Sequence, residues 1–253
     1  MKHFIDIADF NVKKLNAIIK NAKQIKKNPK KFVNKCKNKT LGMIFQKEST
    51  RTRVSFNVGF KNLGGHSLEL NAESIGFGKR ENHQDIVRTL SQYIDILMIR
   101  NDDHNIIRNL STLNVLPIIN GLSDFSHPCQ ILSDFLTINE KLGNIKSQRI
   151  CWIGDYNNVL RSLIELQSLY KFQLNVVLPK EILNKNKSQI LKKNNSNLIT
   201  TNSINEGIKH ANCVMTDAWV SMGEKSIKKK YFKNYQVNTD IMKNESKEAI
   251  FMH

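Results

Sequence analysis

Several features are missing from this sequence, and each absence excludes something. No apolar run approaches the ~18–20 residues that cross a bilayer as a helix. The opening residues, Met1-Lys2-His3-Phe4-Ile5-Asp6, carry no long apolar stretch of the signal-peptide kind. A cytoplasmic protein with no membrane partner is therefore expected. Cysteine is scarce: Cys36, Cys129, Cys151 and Cys213 stand apart with no C-x-x-C pair, which points to free thiols in a reducing compartment. There is no low-complexity linker and no internal repeat of about 20–50 residues.

Negative charge is also in short supply, with 22 acidic against 39 basic residues and a net charge of +17. Such a balance raises nucleic acid as a partner. The lysines, however, are spread through the N-terminal helical region, residues 180–193 and residues 225–233, and are not gathered beside aromatic stacking residues. The chain is rich in Asn as well as Lys, which looks like compositional drift. No specific nucleic-acid partner is expected, only weak affinity for polyanions at low salt.

What is present is the makings of a core. The 253 residues are 40% hydrophobic and 24% charged, enough for one large domain or two small ones. Residues 9–27 place Val12, Leu15, Ile18, Ile19, Ala22 and Ile25 at helical spacing, with Asp9 as the expected N-cap. Short apolar runs then alternate with helical stretches. Strands are expected at Leu41–Phe45, Ser67–Leu70, Ile94–Ile99, Val115–Ile119, Ile150–Ile153, Leu174–Leu178, Cys213–Thr216 and Ala249–Met252. Helices are expected at Thr50–Leu63, Asp85–Tyr93, Pro128–Leu142, Asn158–Tyr170, residues 180–193, Ser203–His210 and Lys225–Lys233. This rhythm predicts an α/β fold: two doubly wound parallel-sheet domains, residues 1–142 and 143–253, joined by the helix at 128–142.

In open parallel sheets, ligands bind at the carboxyl ends of the strands. Polar clusters follow the apolar runs there. Gln46-Lys47-Glu48-Ser49-Thr50-Arg51-Thr52-Arg53 follows Phe45, Arg100 follows Ile99, and a stretch reaching His127-Pro128-Cys129-Gln130 follows Ile119. In the second half, Gly154-Asp155-Tyr156-Asn157-Asn158 follows Ile153 and Asp217-Ala218-Trp219-Val220-Ser221-Met222-Gly223 follows Thr216. A helix start at residues 49–52 offers free backbone N–H groups and partial positive charge, suited to a phosphate. Ser49, Thr50 and Thr52 add hydroxyls, Arg51 and Arg53 add guanidinium forks, and Lys47 and Arg100 share the edge. His127 could polarise a carbonyl, Gln130 could bond an amide, and Asp217 with Ser221 suits an α-amino group. Taken singly, each cluster also fits a structural role: ordinary capping at 49–52, a helix start with a satisfied histidine at 127, and a capping aspartate at 217.

Taken together and in order, these segments resemble the ornithine carbamoyltransferases within the wider aspartate/ornithine carbamoyltransferase family. The likeness runs through nearly the whole chain from about residue 3. Ser49-Thr50-Arg51-Thr52-Arg53 and His127-Pro128-Cys129-Gln130 mark the wider family, and the Asp217–Gly223 loop looks ornithine-specific. The resemblance implies that Ser49, Thr50, Arg51 and Thr52 bind the phosphate of carbamoyl phosphate, that Arg100 and His127 contact its carbonyl oxygen, and that Gln130 contacts its amide. Arg51, Arg100 and His127 would be the catalytic groups. Asn158, Asp217, Ser221 and Met222 would hold L-ornithine. It further implies a homotrimer, no metal, no other cofactor and no covalent intermediate, with citrulline and phosphate as products in an arginine-biosynthesis or urea-cycle type of step.

Two departures qualify the resemblance. Gly76 stands where the family carries Gln, or sometimes His, in a loop that reaches a neighbouring subunit's carbamoyl phosphate site. The family also continues past the point matching Phe251-Met252-His253 with Cys-Leu-Pro and a final helix that serve the substrates. The expectation from this is impaired or absent turnover in the 253 residues. A remnant that binds carbamoyl phosphate without turnover, or a carbamoyltransferase for another amine, are the alternatives.

Overall fold

The computed structural model describes residues 2–191, 195–219, 229–243 and 249–253. It divides into two compact units, Met1–Leu132 and Ser133–His253. Among the described residues no helix is long and apolar enough to cross a membrane.

The first unit begins with helix α1 (Val12–Lys27) and continues through β1 (Thr40–Phe45), α2 (Thr50–Asn62), β2 (His66–Asn71), α3 (His83–Leu90), β3 (Ile96–Arg100), α4 (His104–Thr112) and β4 (Ile118–Leu122). Helix α5 (Pro128–Lys141) follows, and the division between the units falls inside it. The sheet is parallel, in the order β2-β1-β3-β4. β1 shows why an unbroken apolar run makes a central strand. Leu41, Met43 and Phe45 pack with Met98, Phe56 and Phe60 on one face, while Ile44 joins Ile86, Val87, Leu97 and Ile107 on the other. A strand covered on both faces has no polar side to alternate with. Gly64, with φ +87°, closes the region after α2. A Cβ there would meet the Val33 backbone oxygen at 2.1 Å, so only glycine fits.

The second unit contains β5 (Arg149–Ile153), α6 (Asn158–Tyr170), β6 (Gln173–Val177), α7 (Lys180–Leu191), β7 (Leu198–Thr201), α8 (Ile204–Ile208), β8 (Cys213–Met215), α9 (Lys229–Phe232), α10 (Thr239–Lys243) and β9 (Ile250–Met252). Its parallel sheet runs β7-β6-β5-β8-β9. α6 is buried on most of its circumference, including Leu160, Leu163, Ile164, Leu166 and Tyr170. The two parallel sheets establish the expected α/β fold class.

The structure corrects several boundaries. Asn11, not Asp9, caps α1, its side chain accepting from the Lys14 N–H at 2.9 Å. Asp9 ends a 3-10 turn (Ile7–Asp9), too early to reach the helix. The strand expected at Val115–Ile119 lies at Ile118–Leu122 and takes in Asn120. An apolar pattern misses that shift because Asn120 is buried through a partner far away in sequence: its amide donates to the Ile5 carbonyl at 3.0 Å. The backbone of Phe4 also pairs with Ile118 and Asn120, adding the N-terminal segment beside β4. α4, β7 and α10 are elements that the apolar runs alone did not disclose. α4 buries only Ile107 and Leu110 and is capped by Asp103, whose side chain accepts from Asn105 N–H. Of the helix expected at Lys225–Lys233, residues 225–228 lie outside the described residues.

Candidate functional site

In both sheets the chain leaves a central strand in one direction and later returns on its other side. The neighbouring strands where this reversal occurs are β1 and β3 in the first unit, and β5 and β8 in the second. The helices that follow such a pair splay apart and open a crevice at the carboxyl ends of the strands.

In the first unit, Phe45 ends β1 directly beside Arg100 at the end of β3. The Gln46 N–H donates to the Arg100 carbonyl at 3.0 Å, so the two strand ends are tied. The chain then turns into α2, with Ser49 at the N-cap position. Ser49 does not cap the helix. Its hydroxyl instead accepts a hydrogen bond from the Arg100 guanidinium at 2.8 Å, across the crevice. Thr50, Arg51 and Thr52 form the first turn, and the first helical bond runs from Arg53 N–H to the Ser49 carbonyl at 3.2 Å. The N–H groups of that turn therefore point out with no side-chain cap among the described residues, the arrangement that favours an anion. Thr50 and Arg51 are exposed and Thr52 is half-buried. Arg51 forms no hydrogen bond or ion pair among the described residues.

Not every cation expected here is available. Arg53 pairs with Glu69 on β2 at 3.0 Å and lies 5.3 Å from the centre of the Phe45 ring. Lys47 pairs with Asp102. Arg51 and Arg100 are the arginines left for a ligand. Burial holds the Arg100 pKa below the ordinary guanidinium value, with Asp102 opposing, and arginine still carries its charge at neutral pH.

His127 comes just before α5 and Gln130 lies in its first turn, both half-buried. Burial pushes the His127 imidazole down to about 4, and the positive charge of Arg100 pushes the same way. His127 is thus neutral at pH 7 and within electrostatic reach of Arg100. A neutral imidazole offers one N–H donor without the cost of burying a second cation. Cys129 is no nucleophile: burial raises its thiol to about 12, and its Sγ donates to the Asn120 carbonyl at 3.4 Å. All four cysteines are free.

The second crevice has the opposite chemistry. After β5, Asp155 is buried, its carboxylate accepting from the Tyr156 N–H at 2.9 Å while its carbonyl accepts from the Trp152 indole at 3.0 Å. Asn157 caps α6 by accepting from Leu160 N–H, and its amide donates to the Asp217 carboxylate at 2.7 Å. Asp217 follows β8, so this bond also spans the crevice. Asn158 begins α6 and is half-buried. Trp219 stacks on Phe232 with ring centres 5.7 Å apart. Ser221 and Met222 lie outside the described residues. Asn157, rather than Asn158, makes the bond across the crevice. The available signal was an Asn immediately before a helical run, which marks a cap. No cluster of three or more metal-ligating side chains occurs among the described residues.

Residues 2–140 match the family model for the aspartate/ornithine carbamoyltransferase carbamoyl-P binding domain. Residues 146–253 match the Asp/Orn binding domain of the same family. An ornithine carbamoyltransferase of Bradyrhizobium diazoefficiens is 38% identical, covering 100% of this chain and 84% of the relative. The crystal structure of ornithine carbamoyltransferase from Thermus thermophilus superposes with a TM-score of 0.89 at 30% identity, over 99% of this chain and 84% of that one. The ornithine carbamoyltransferase from Pyrococcus furiosus gives a TM-score of 0.87 at 35% identity, over 100% of this chain and 84% of that one. The chain belongs to the aspartate/ornithine carbamoyltransferase family.

Proposed function

We propose that the chain transfers the carbamoyl group of carbamoyl phosphate to the side-chain amine of L-ornithine, giving citrulline and phosphate. The observation that carries this reading is the Arg100–Ser49 hydrogen bond beside the uncapped first turn of α2. It pre-positions a half-buried guanidinium next to free helix N–H groups, where a phosphate and its bridging oxygen would gather charge as the bond breaks. Ser49, Thr50, Arg51 and Thr52 take the phosphate in this reading. Arg100 and the neutral His127 stabilise the carbonyl oxygen as it becomes an oxyanion, and Gln130 takes the carbamoyl amide. The amine lone pair forms the new C–N bond, a tetrahedral intermediate collapses, the C–O bond to phosphate breaks, and one amine proton leaves with the phosphate. The amine must be neutral to attack. For a lysine-like amine at pH 7 that costs about 4–5 kcal/mol.

Ornithine, rather than aspartate, is favoured by the charge of the second crevice. Asp217, oriented by Asn157, presents a carboxylate suited to the α-ammonium group that ornithine keeps while its side-chain amine reacts; the only amine of aspartate would have to be the nucleophile. Asn158, Ser221 and Met222 complete the amino-acid site in this proposal. The relatives named above as ornithine carbamoyltransferases support the same choice. A cytoplasmic homotrimer belongs to the reading through the resemblance, and light scattering tests the assembly.

A phosphate-release assay with ornithine, aspartate, putrescine and an acylated ornithine as acceptors, with citrulline identified as the ornithine product, tests the proposal. Ornithine should be preferred, and Asp217→Ala should abolish the preference. Preference for another acceptor overturns the ornithine assignment. Tight binding of a phosphonate analogue with no turnover of any acceptor supports the binding-only alternative.

A further inference from the structure

The segment ahead of His127 is enclosed by a group of buried polar side chains that the proposed chemistry does not use. Asp6, Ser123, Ser126 and Asn120 are each exposed by no more than 1%. His104, at the start of α4, approaches Asp6 Oδ2 through Nε2 at 3.1 Å and Ser123 Oγ through Nδ1 at 2.8 Å. A carboxylate can only accept, so Nε2 is assigned the proton towards Asp6, with Arg108 Nε 3.4 Å away, and Nδ1 meets the Ser123 hydroxyl, which also lies 3.3 Å from the Ser126 carbonyl. Ser123 Oγ then accepts from the Ser126 N–H at 3.1 Å, and the Ser123 N–H donates to the Ser126 carbonyl at 2.9 Å. The Ser126 side chain also favours the ionised Asp6 carboxylate, so the last member of the set acts back on the first. The His104 ring also lies against Phe125, with centres 5.1 Å apart.

We propose that Asp6 is a positioning residue for His127, acting through the ring of residues Asp6–His104–Ser123–Ser126. This inference rests on the function proposed above. Ser126 is the residue before His127, and both its backbone N–H and its carbonyl are held by the ring. The Asn120 amide reaches the same carbonyl at 3.5 Å and the Ile5 carbonyl at 3.0 Å, so the N-terminal segment and the turn share one donor. Rotation of the peptide at Ser126 would swing His127. It would also leave buried polar groups without partners, which makes the arrangement a single-state one. Arg108 pairs with Asp6 and, at 3.0 Å, with Asp9, and so keeps the carboxylate anchored from outside the ring. The ion pair to Asp9 provides a control, because Asp9 belongs to the same segment but not to the ring.

The test uses the full chain labelled for histidine NMR, with the His127 resonance assigned by its loss in His127→Gln. Binding of phosphonoacetamide, a non-hydrolysable isostere of carbamoyl phosphate, is measured in parallel. Asp6→Asn and Ser123→Ala should each shift the His127 resonance and weaken binding about tenfold. The double variant should be little worse than either single one, because both break one ring. Asp9→Asn should lower thermal stability yet leave the resonance and the affinity as in the parent. The proposal is overturned if the ring variants keep the parental His127 resonance, or if Asp9→Asn shifts it equally. Failure of both ring variants to fold while Asp9→Asn folds would overturn it in favour of a purely structural role. Should the parent not bind phosphonoacetamide, or His127→Gln not weaken it, the proposed function fails instead, and the resonance shifts still decide the positioning role.

Discussion

Ser49 meets Arg100 across the crevice between β1 and β3, and Asn157 meets Asp217 across the crevice between β5 and β8. Both pairs occupy the carboxyl ends of central parallel strands, and both join the loop before a helix to the end of the strand beyond. Their chemistry is opposite. The first couples a guanidinium to a hydroxyl at a helix start left uncapped, so the site is rich in donors. The second spends its helix-start residue on a cap and leaves a carboxylate, so the site is an acceptor. One topology thus serves an anion in one unit and a cation in the other. The sheet decides where a site lies, and a few loop side chains decide what it holds.

The comparison breaks most visibly at Arg100. Arg100→Ala should lower carbamoyl transfer by about 10²–10³, since one preorganised donor is lost where charge develops. An unchanged rate would show that the donor-rich crevice is not the reacting one. Asp217→Ala should weaken ornithine by about 1.5–3 kcal/mol in calorimetric titration, the range for a charge-assisted hydrogen bond, with phosphonoacetamide binding retained. Loss of both ligands together would mean the two crevices are not chemically separate.

Acid separates the units in another way. His127 titrates at about 4 in the folded chain, against roughly 6.5 when unfolded. The unfolded state takes up the proton first, so this histidine's contribution is present above its unfolded value and is lost as pH falls toward its folded value. Asp6 acts with the same sign at lower pH. Burial raises its pKa, but its interactions with His104, Ser126 and Arg108 outweigh that and hold it below the ordinary 3.8. Thermal melts between about pH 7 and 4.5 should show stability declining, and His127→Gln should flatten that slope. Asn157→Ala, which removes a group that does not titrate, should leave the slope while costing about 1 kcal/mol through its lost cap.

Gly76 and Lys47 sharpen the lower end of the scale. Gly76 adopts φ +64°, and a Cβ there would lie 2.9 Å from the Arg80 Cβ. Its carbonyl accepts from the N–H groups of Lys79, Arg80 and Glu81, which locks the turn. Gly76→Gln, the residue the family resemblance leads one to expect, should therefore cost about 1 kcal/mol in chemical denaturation. Lys47→Ala breaks an ion pair whose side chains are 41% and 45% exposed, and should change stability by less than about 1 kcal/mol.

Much of this architecture was legible in the chain because its signals are local. Apolar runs of strand length, such as Ile150–Ile153, announce a strand buried on both faces. Helical spacing from Asn158 to Tyr170 located α6 to the residue. α4 was less legible because it shows only two buried residues, and β4 because buried Asn120 interrupts its apolar pattern. The candidate residues at 49–52, 100, 127, 130, 158 and 217 could be named from cluster order and resemblance, whereas Asn157, Asp6 and His104 could not be ranked that way.

The sequence by itself determined the alternation of strands and helices, the caps that begin most of the helices, and the set of polar residues delivered to the strand ends. Only the tertiary structure decided which of those residues work together. It turned Ser49 from a cap into the partner of Arg100, 51 residues away, gave Asn157 to Asp217 over 60 residues, and joined Asp6 to His104 over 98. It also withdrew Arg53 and Lys47 by pairing them with Glu69 and Asp102. The reason is geometric. Parallel strands are joined by crossovers, so neighbours in a crevice are distant in sequence, and a local pattern carries no record of which side chain will lie opposite.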